Sequence, residues 1–202
     1  VNGIYYKKNG EVKNTHPREF LDLNDYPDPP YHLVDVKKYL PLRFGKPTID
    51  MESSRGCPFA CTFCYNPYIN KRKWRALTAG KVISRVKNLK EKYGIKSVWF
   101  IDDEMFVDLK RAKEIILGLN GMNIKWTVQG ITIRTVLSRD EDFLDLLEKS
   151  GCKQLNLGAE SGSDRILKMI KKGVVTGDVL AVNEKLSKTG IAPWYYFVTG
   201  FP

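Results

Sequence analysis

The chain is 202 residues long, 43% hydrophobic and 28% charged, with a formal net charge of +10 at pH 7. That supplies one sizeable core, is too short for two full domains, and excludes disorder as the whole answer. The longest apolar runs, near residues 97–101 and 194–198, fall far short of the roughly 18 residues a membrane span needs, and the opening residues give secretion no support.

In chain order, residues 4–8 and 11–13 flank Asn9-Gly10, a dipeptide suited to a type I′ turn, so a short hairpin is expected. Residues 22–47, dotted with Pro27, Pro29, Pro30, Pro41 and Pro47, read as an irregular linker. A strand over 48–52 leads into a cysteine-bearing loop. The periodicity then predicts a helix over 78–93 with Val82, Ile83, Val86 and Leu89 on its apolar face, stopped by Gly94. A strand over 97–101 ends in Asp102-Asp103-Glu104. A helix over 108–119, a strand over 125–130, a helix over 140–150 and a strand over 154–159 follow. Helices over 164–170 and 177–189 and a fifth strand within 191–201 complete the pattern. Strands and helices alternate throughout, as in a parallel sheet with helical crossovers.

The basic excess lies entirely in the first hundred residues, while the remainder is balanced. Such a half-chain can attract nucleic acid, phosphorylated ligands or an acidic partner domain, or can simply be a solvated surface. Only Lys71-Arg72-Lys73-Trp74-Arg75 is dense, and it reads as a solvated or domain-facing patch.

Three of the four cysteines, Cys57, Cys61 and Cys64, are crowded together, and Cys152 lies far away. No disulfide framework suits this arrangement. One face of a buried helix would accommodate the spacing, but Gly56 and Pro58 make the flanks loop-like. A zinc site would need a fourth ligand from Cys152, His16 or His32, with no second ligand pair present. Three thiolates without a fourth suit an iron–sulfur cluster with one open iron better. Cys152, beside Gly151, reads as a small buried hydrophobe.

The string Arg55-Gly56-Cys57-Pro58-Phe59-Ala60-Cys61-Thr62-Phe63-Cys64 resembles the CxxxCxxC signature of radical S-adenosylmethionine (SAM) enzymes, in the branch that often carries a cobalamin domain upstream. The resemblance implies an α/β partial barrel of six units. Five strands are recognisable here, and the chain reads as a piece truncated at both ends. Residues 1–47 would be the end of an upstream, cobalamin-type domain plus linker, and 48–202 an incomplete core barrel. It further implies a 4Fe-4S cluster on Cys57, Cys61 and Cys64 that reductively cleaves SAM to a 5′-deoxyadenosyl radical. That radical would abstract hydrogen from a small-molecule or natural-product-like substrate, for cobalamin-dependent methylation or a related outcome such as ring closure. A reductant of flavodoxin or ferredoxin type and an oxygen-poor cytoplasm are expected with it.

In such a barrel the loops after the strands carry the chemistry. Gly158-Ala159-Glu160-Ser161-Gly162-Ser163 resembles the family's fourth-strand SAM motif, which assigns Glu160 to the ribose hydroxyls or the ammonium. Ser161 would reach a nearby hydroxyl or serve only as a helix cap. Phe63 would lie against adenine or sit in the core. Asp102, Asp103 and Glu104 would contact the SAM amino group, a cobalamin or the substrate, or form a solvated strand end. Arg134 is the cation for the SAM carboxylate. Trp126, Gln129, Tyr195 and Tyr196 are candidates to point into the barrel, although large aromatics there are as easily core. The rivals are a methylthiotransferase acting on tRNA or protein, and a zinc-binding nucleic-acid module that would use the basic half-chain.

Overall fold

The computed structural model describes residues 1–202. Strands β1 (Tyr5–Lys8) and β2 (Glu11–Asn14) form the expected antiparallel hairpin, fully exposed. Asn9 and Gly10 both take positive φ, 54° and 84°, as a type I′ turn requires. The proline-dotted stretch contains three 3-10 turns, Leu23–Asp25, Tyr31–Leu33 and Val36–Tyr39. It is fastened onto the first long helix. The Lys81 ammonium donates to the carbonyls of Asn24 (2.9 Å) and Tyr26 (2.7 Å), and Arg85 pairs with Asp28 at 2.6 Å.

The main sheet begins with β3 (Leu42–Arg43) and β4 (Lys46–Met51). Next, β5 (Ser54–Arg55) and β6 (Arg75–Ala76) pair antiparallel, with α1 (Asn66–Ile69) between them. Helix α2 (Ala79–Tyr93) is capped by Thr78, which accepts from the Lys81 N–H, and ends at Gly94 with φ 70°, the left-handed stop for which glycine is suited. There follow β7 (Ser97–Phe100), α3 (Leu109–Leu119), β8 (Lys125–Thr132), α4 (Ile133–Leu137), α5 (Glu141–Lys149), β9 (Cys152–Glu160), α6 (Asp164–Met169), α7 (Thr176–Ser187) and β10 (Ala192–Phe197). Asp108 and Asp140 accept from the N–H groups of Arg111 and Phe143 and so start α3 and α5.

The six strands run in the order β10-β9-β8-β7-β4-β3. All pairings are parallel except β3 with β4. Successive parallel strands therefore add always on the same side, with no reversal of strand order. A doubly wound sheet would reverse at a switch point; monotonic addition with helical crossovers curls toward a barrel. The architecture is an α/β half-barrel.

Its two faces differ sharply. Under the helices lie Ile49, Met51, Val98, Phe100, Trp126, Val128, Leu155 and Leu157, all buried in one core of 32 residues. The Phe100 and Trp126 rings meet edge to face at 5.9 Å. The opposite face, traced by the register Asp50–Trp99–Thr127–Gln154, carries polar and aromatic side chains. There Asn156 donates to the Thr127 hydroxyl (3.0 Å) and the Val128 carbonyl (2.8 Å), and accepts from Gln154 (2.7 Å) and Tyr196 (3.4 Å). Tyr196 does face this side. Trp126 and Tyr195 do not: the Trp126 indole donates to Ser150 beneath the helices, and the Tyr195 hydroxyl reaches Asn183 of α7 at 3.5 Å. Period-two alternation settles this, since Trp126 shares a face with Val128 and Tyr195 with Pro193.

Two boundaries differ from expectation for physical reasons. Strand β8 runs through Gly130 rather than stopping there, and α4 follows at once, too short to show a helical period in sequence. Gly130 is an interior strand residue because a Cβ there would lie 2.1 Å from the Asp102 carbonyl oxygen and 2.4 Å from the Asp103 carbonyl carbon. Gly130→Ala must therefore push the turn after β7 away from β8. The expected cost is about 1–3 kcal/mol, read as a lowered thermal midpoint, and a midpoint equal to the parent's would show that the turn yields freely.

Candidate active site at the cysteine loop

After β4 the chain turns through Ser53 into the short β5–β6 ladder, which pinches the base of the cysteine loop by pairing Ser54 with Ala76 and Arg55 with Arg75. Gly56 sits at φ 90°, and a Cβ there would lie 2.1 Å from the Lys73 carbonyl oxygen, so no other residue fits. Cys57, Cys61 and Cys64 are free and half-buried, in irregular backbone rather than on a helix. The loop is held by the Thr62 N–H on the Ile170 carbonyl (3.0 Å), Arg72 on the Pro58 carbonyl (2.9 Å), and the Asn66 N–H on Cys64 Sγ (3.4 Å). Burial pushes the Cys57 thiol up to about 12, and raises Cys61 against the opposing pull of Lys172. Such thiols become thiolates when a metal takes the proton's place.

The donor set fits an iron–sulfur cluster. A cubane gives each of three thiolates its own iron, so it does not require the convergence on one centre that a single tetrahedral ion demands. No three His, Cys, Asp or Glu side chains are gathered around such a centre. Nor is Cys152 a fourth ligand: it is fully buried at the start of β9, the far end from Glu160, about 25 Å along the strand. His32 lies against the outer side of α2.

The turn after β7 carries three acids with three different fates. Asp102 is only 3% exposed. It accepts from the Ser53 hydroxyl (2.7 Å), the Ser54 hydroxyl (2.5 Å) and the Ser53 N–H (3.1 Å). Arg111 stands behind, donating to the Ser53 carbonyl at 2.7 Å and the Leu77 carbonyl at 2.6 Å. Three of the acceptor positions of Asp102 are thus engaged on the approach to the loop. Glu104 is buried likewise. It is 1% exposed and accepts from the N–H groups of Phe106 (3.3 Å) and Thr132 (3.0 Å). Asp103 lies between them, accepting from the Gly56 N–H and from the Tyr65 hydroxyl, each at 2.7 Å.

The other expected residues lie on the far side of the same loop. Glu160 closes β9 with φ 64° and binds the Lys172 ammonium at 2.7 Å. Both are near enough to Cys61 to act on its charge. Ser161 accepts from the Ser163 N–H at 3.2 Å, which is the turn-capping role. Phe63 is 43% exposed and meets Phe201 edge to face at 5.7 Å, so it is not a core aromatic. Arg134 is exposed, donates to the Gly173 carbonyl at 2.7 Å and stands over the Phe59 ring at 5.8 Å, bracing the loop's flank. Lys172 was not singled out by sequence; in Lys171-Lys172-Gly173 it looks like any solvated run.

Burial pushes Glu104 up to about 8, overriding two backbone hydrogen bonds that favour its charged form. The folded chain therefore holds this proton to about pH 8, whereas the unfolded chain releases it near the ordinary carboxylate value of 4.5. More protons are bound in the folded state between those values, so stability falls as pH rises through that window. Burial shifts Asp102 in the same sense. Thermal midpoints measured from pH 4.5 to 8 should decline for the parent, by up to about 1.4 kcal/mol per pH unit from this group. Glu104→Gln should flatten the decline, and parallel curves would contradict the shift.

No helix is long and apolar enough to cross a membrane. Comparison with known proteins matches residues 51–202 to the radical SAM superfamily. An uncharacterized methyltransferase of Pyrococcus horikoshii is 33% identical over 203 residues, covering 99% of this chain and 43% of the relative. An anaerobic magnesium-protoporphyrin IX monomethyl ester cyclase of Synechocystis is 27% identical over 201 residues, covering 100% of this chain and 40% of the relative. Among solved structures, the cobalamin-dependent radical enzyme OxsB, determined with aqua-cobalamin and S-adenosylmethionine bound, superposes with TM-score 0.79 at 24% identity, over 98% of this chain and 29% of its own. The chain thus spans less than half the length of these relatives. With its fold, its cysteine loop and the match from Met51 onward in agreement, the chain belongs to the radical SAM superfamily.

Proposed function

We propose that this chain is the core of a radical SAM enzyme of the cobalamin-dependent branch, acting in methyl transfer to a small molecule. The observation that carries the reading is the trio of free, half-buried thiols at the C-terminal edge of a parallel half-barrel, beside the buried Glu160–Lys172 pair. Cys57, Cys61 and Cys64 would hold a 4Fe-4S cluster, which would supply the one-electron reducing chemistry by which S-adenosylmethionine is cleaved. Glu160 holds the ribose hydroxyls or the ammonium, Ser161 stands beside it, and the exposed Phe63 ring takes the adenine. Arg134 is the cation assigned to the carboxylate end. The polar face around Thr127, Asn156 and Tyr196 orients the substrate.

The methyltransferase relatives, including one named cytidylyl-2-hydroxyethylphosphonate methyltransferase in Streptomyces wedmorensis at 28% identity, favour methyl transfer. The cyclase relatives keep ring closure as the second reading. A cobalamin domain elsewhere in the same polypeptide, a flavodoxin- or ferredoxin-type reductant and a cytoplasmic setting belong to the proposal. A methylthiotransferase and a zinc-binding nucleic-acid module are less well supported, since these relatives are methyltransferases and cyclases and no three His, Cys, Asp or Glu side chains are gathered around a single centre.

Anaerobic reconstitution with iron and sulfide should give a brown chain with about four irons, and Cys61→Ala should lose both the cluster and SAM cleavage. A colourless chain with one zinc, or cleavage retained in the variant, would overturn the reading.

A further inference from the structure

The cysteine loop has no regular structure of its own over Cys57 to Cys64, yet its two ends converge on a single side chain. One oxygen of Asp103 accepts the Gly56 N–H at 2.7 Å, immediately before Cys57. The other accepts the Tyr65 hydroxyl at 2.7 Å, immediately after Cys64. From this geometry we infer that Asp103 is a positioning residue, a clasp that fixes the separation of the first and last thiols so that the three sulfurs meet one cluster. The inference rests on the cluster reading above.

Three features argue that the clasp is built rather than incidental. First, Asp103 cannot drift. Its neighbours Asp102 and Glu104 are locked by Ser53, Ser54, Phe106 and Thr132, and its backbone packs against Gly130 in a gap that a single Cβ would fill. Second, each of its oxygens already has a donor from a different end of the loop, which is the geometry of a tie and not of a free carboxylate awaiting a ligand. Third, the Gly56 end is equally constrained, because the Lys73 carbonyl lies where a Cβ would be. The loop is therefore clamped between two immobile walls, and Asp103 spans its mouth. Side chains that orient metal ligands from behind typically contribute 10–100-fold to metal retention.

The test uses the full 202-residue chain, reconstituted anaerobically with iron and sulfide, as parent, Asp103→Ala, Asp103→Asn and Tyr65→Phe. Four quantities are read: iron per chain, the rate of iron loss to a chelator, the electron paramagnetic resonance spectrum of the reduced cluster, and the thermal midpoint of the metal-free protein. Asp103→Ala should lose iron about 10–100-fold faster, with an altered spectrum and a metal-free midpoint close to the parent's. Asp103→Asn keeps an acceptor for the Gly56 N–H and a donor toward the Tyr65 oxygen, and should recover most of the retention. Tyr65→Phe should fall between the parent and Asp103→Ala. Parent-like loss rates and spectra in Asp103→Ala would overturn the assignment. Should Asp103→Ala fail to fold, Tyr65→Phe decides, since it removes one hydroxyl from a residue 58% exposed; a parent-like loss rate there overturns the clasp. A parent chain that takes up no iron overturns the cluster reading and the clasp together, an outcome distinct from an iron-loaded parent whose variants behave alike.

Discussion

The site depends on one close approach: the turn Asp102–Glu104 lies against β8 at Gly130, with no room for a side chain between them. The approach to the cysteine loop and both of its ends are tied to that turn. Asp102 holds Ser53 and Ser54 on the way in, Asp103 meets Gly56 and Tyr65 at the two ends, and Glu104 ties the turn itself to Thr132 and Phe106. Three adjacent acids thus serve three different sets of partners. The loop needs this external support because a chain segment with two fixed glycine and proline positions and three thiols has no ladder of its own to satisfy its backbone.

Placing buried acids in that turn is costly, and the chain offsets the cost locally. Asp102 is surrounded by hydroxyl and amide donors with the Arg111 guanidinium behind them, a network rather than one ion pair. Glu104 has two backbone donors, and its proton is held up to about pH 8. Desolvation is the largest influence on both acids and raises both, outweighing the hydrogen bonds that favour their charged forms.

Much of this was legible in the sequence. The alternation of elements gave the parallel sheet, Asn9-Gly10 the hairpin, Asp108 and Asp140 the helix starts, and the cysteine trio the loop. What was not legible depended on contacts between distant segments. Gly130 looked like a strand end because a lone glycine in sequence does not reveal that another backbone passes within van der Waals range. Asp102 and Glu104 looked like exposed ligands because a run of acids normally stays in water; their burial comes from Ser53 and Thr132, far apart in the chain. Whether Trp126 and Tyr195 face the barrel interior or the core is open in sequence for want of the strand register, which a one-residue difference inverts; the fold places them on the core side. Lys172 hid in a lysine pair, and only folding brings it to Glu160.

Glu160 carries two costs at once. Its backbone is in the left-handed region, at φ 64° without being glycine, a conformation worth about 1–3 kcal/mol of strain. Its carboxylate is nearly buried in an ion pair with Lys172, and a buried pair is weak evidence of stabilisation because desolvation consumes much of the attraction. Glu160 also bends the end of β9: its carbonyl accepts from Val198 just past β10, where the register between the two strands shifts. A fold selected for stability alone would relieve both costs with a glycine or an asparagine. That they coincide on a residue near enough to Cys61 to act on its charge supports the proposal that Glu160 binds ligand. A positively charged, hydroxyl-bearing ligand arriving there would meet a carboxylate already aimed and already desolvated, with Lys172 as the partner it displaces or shares.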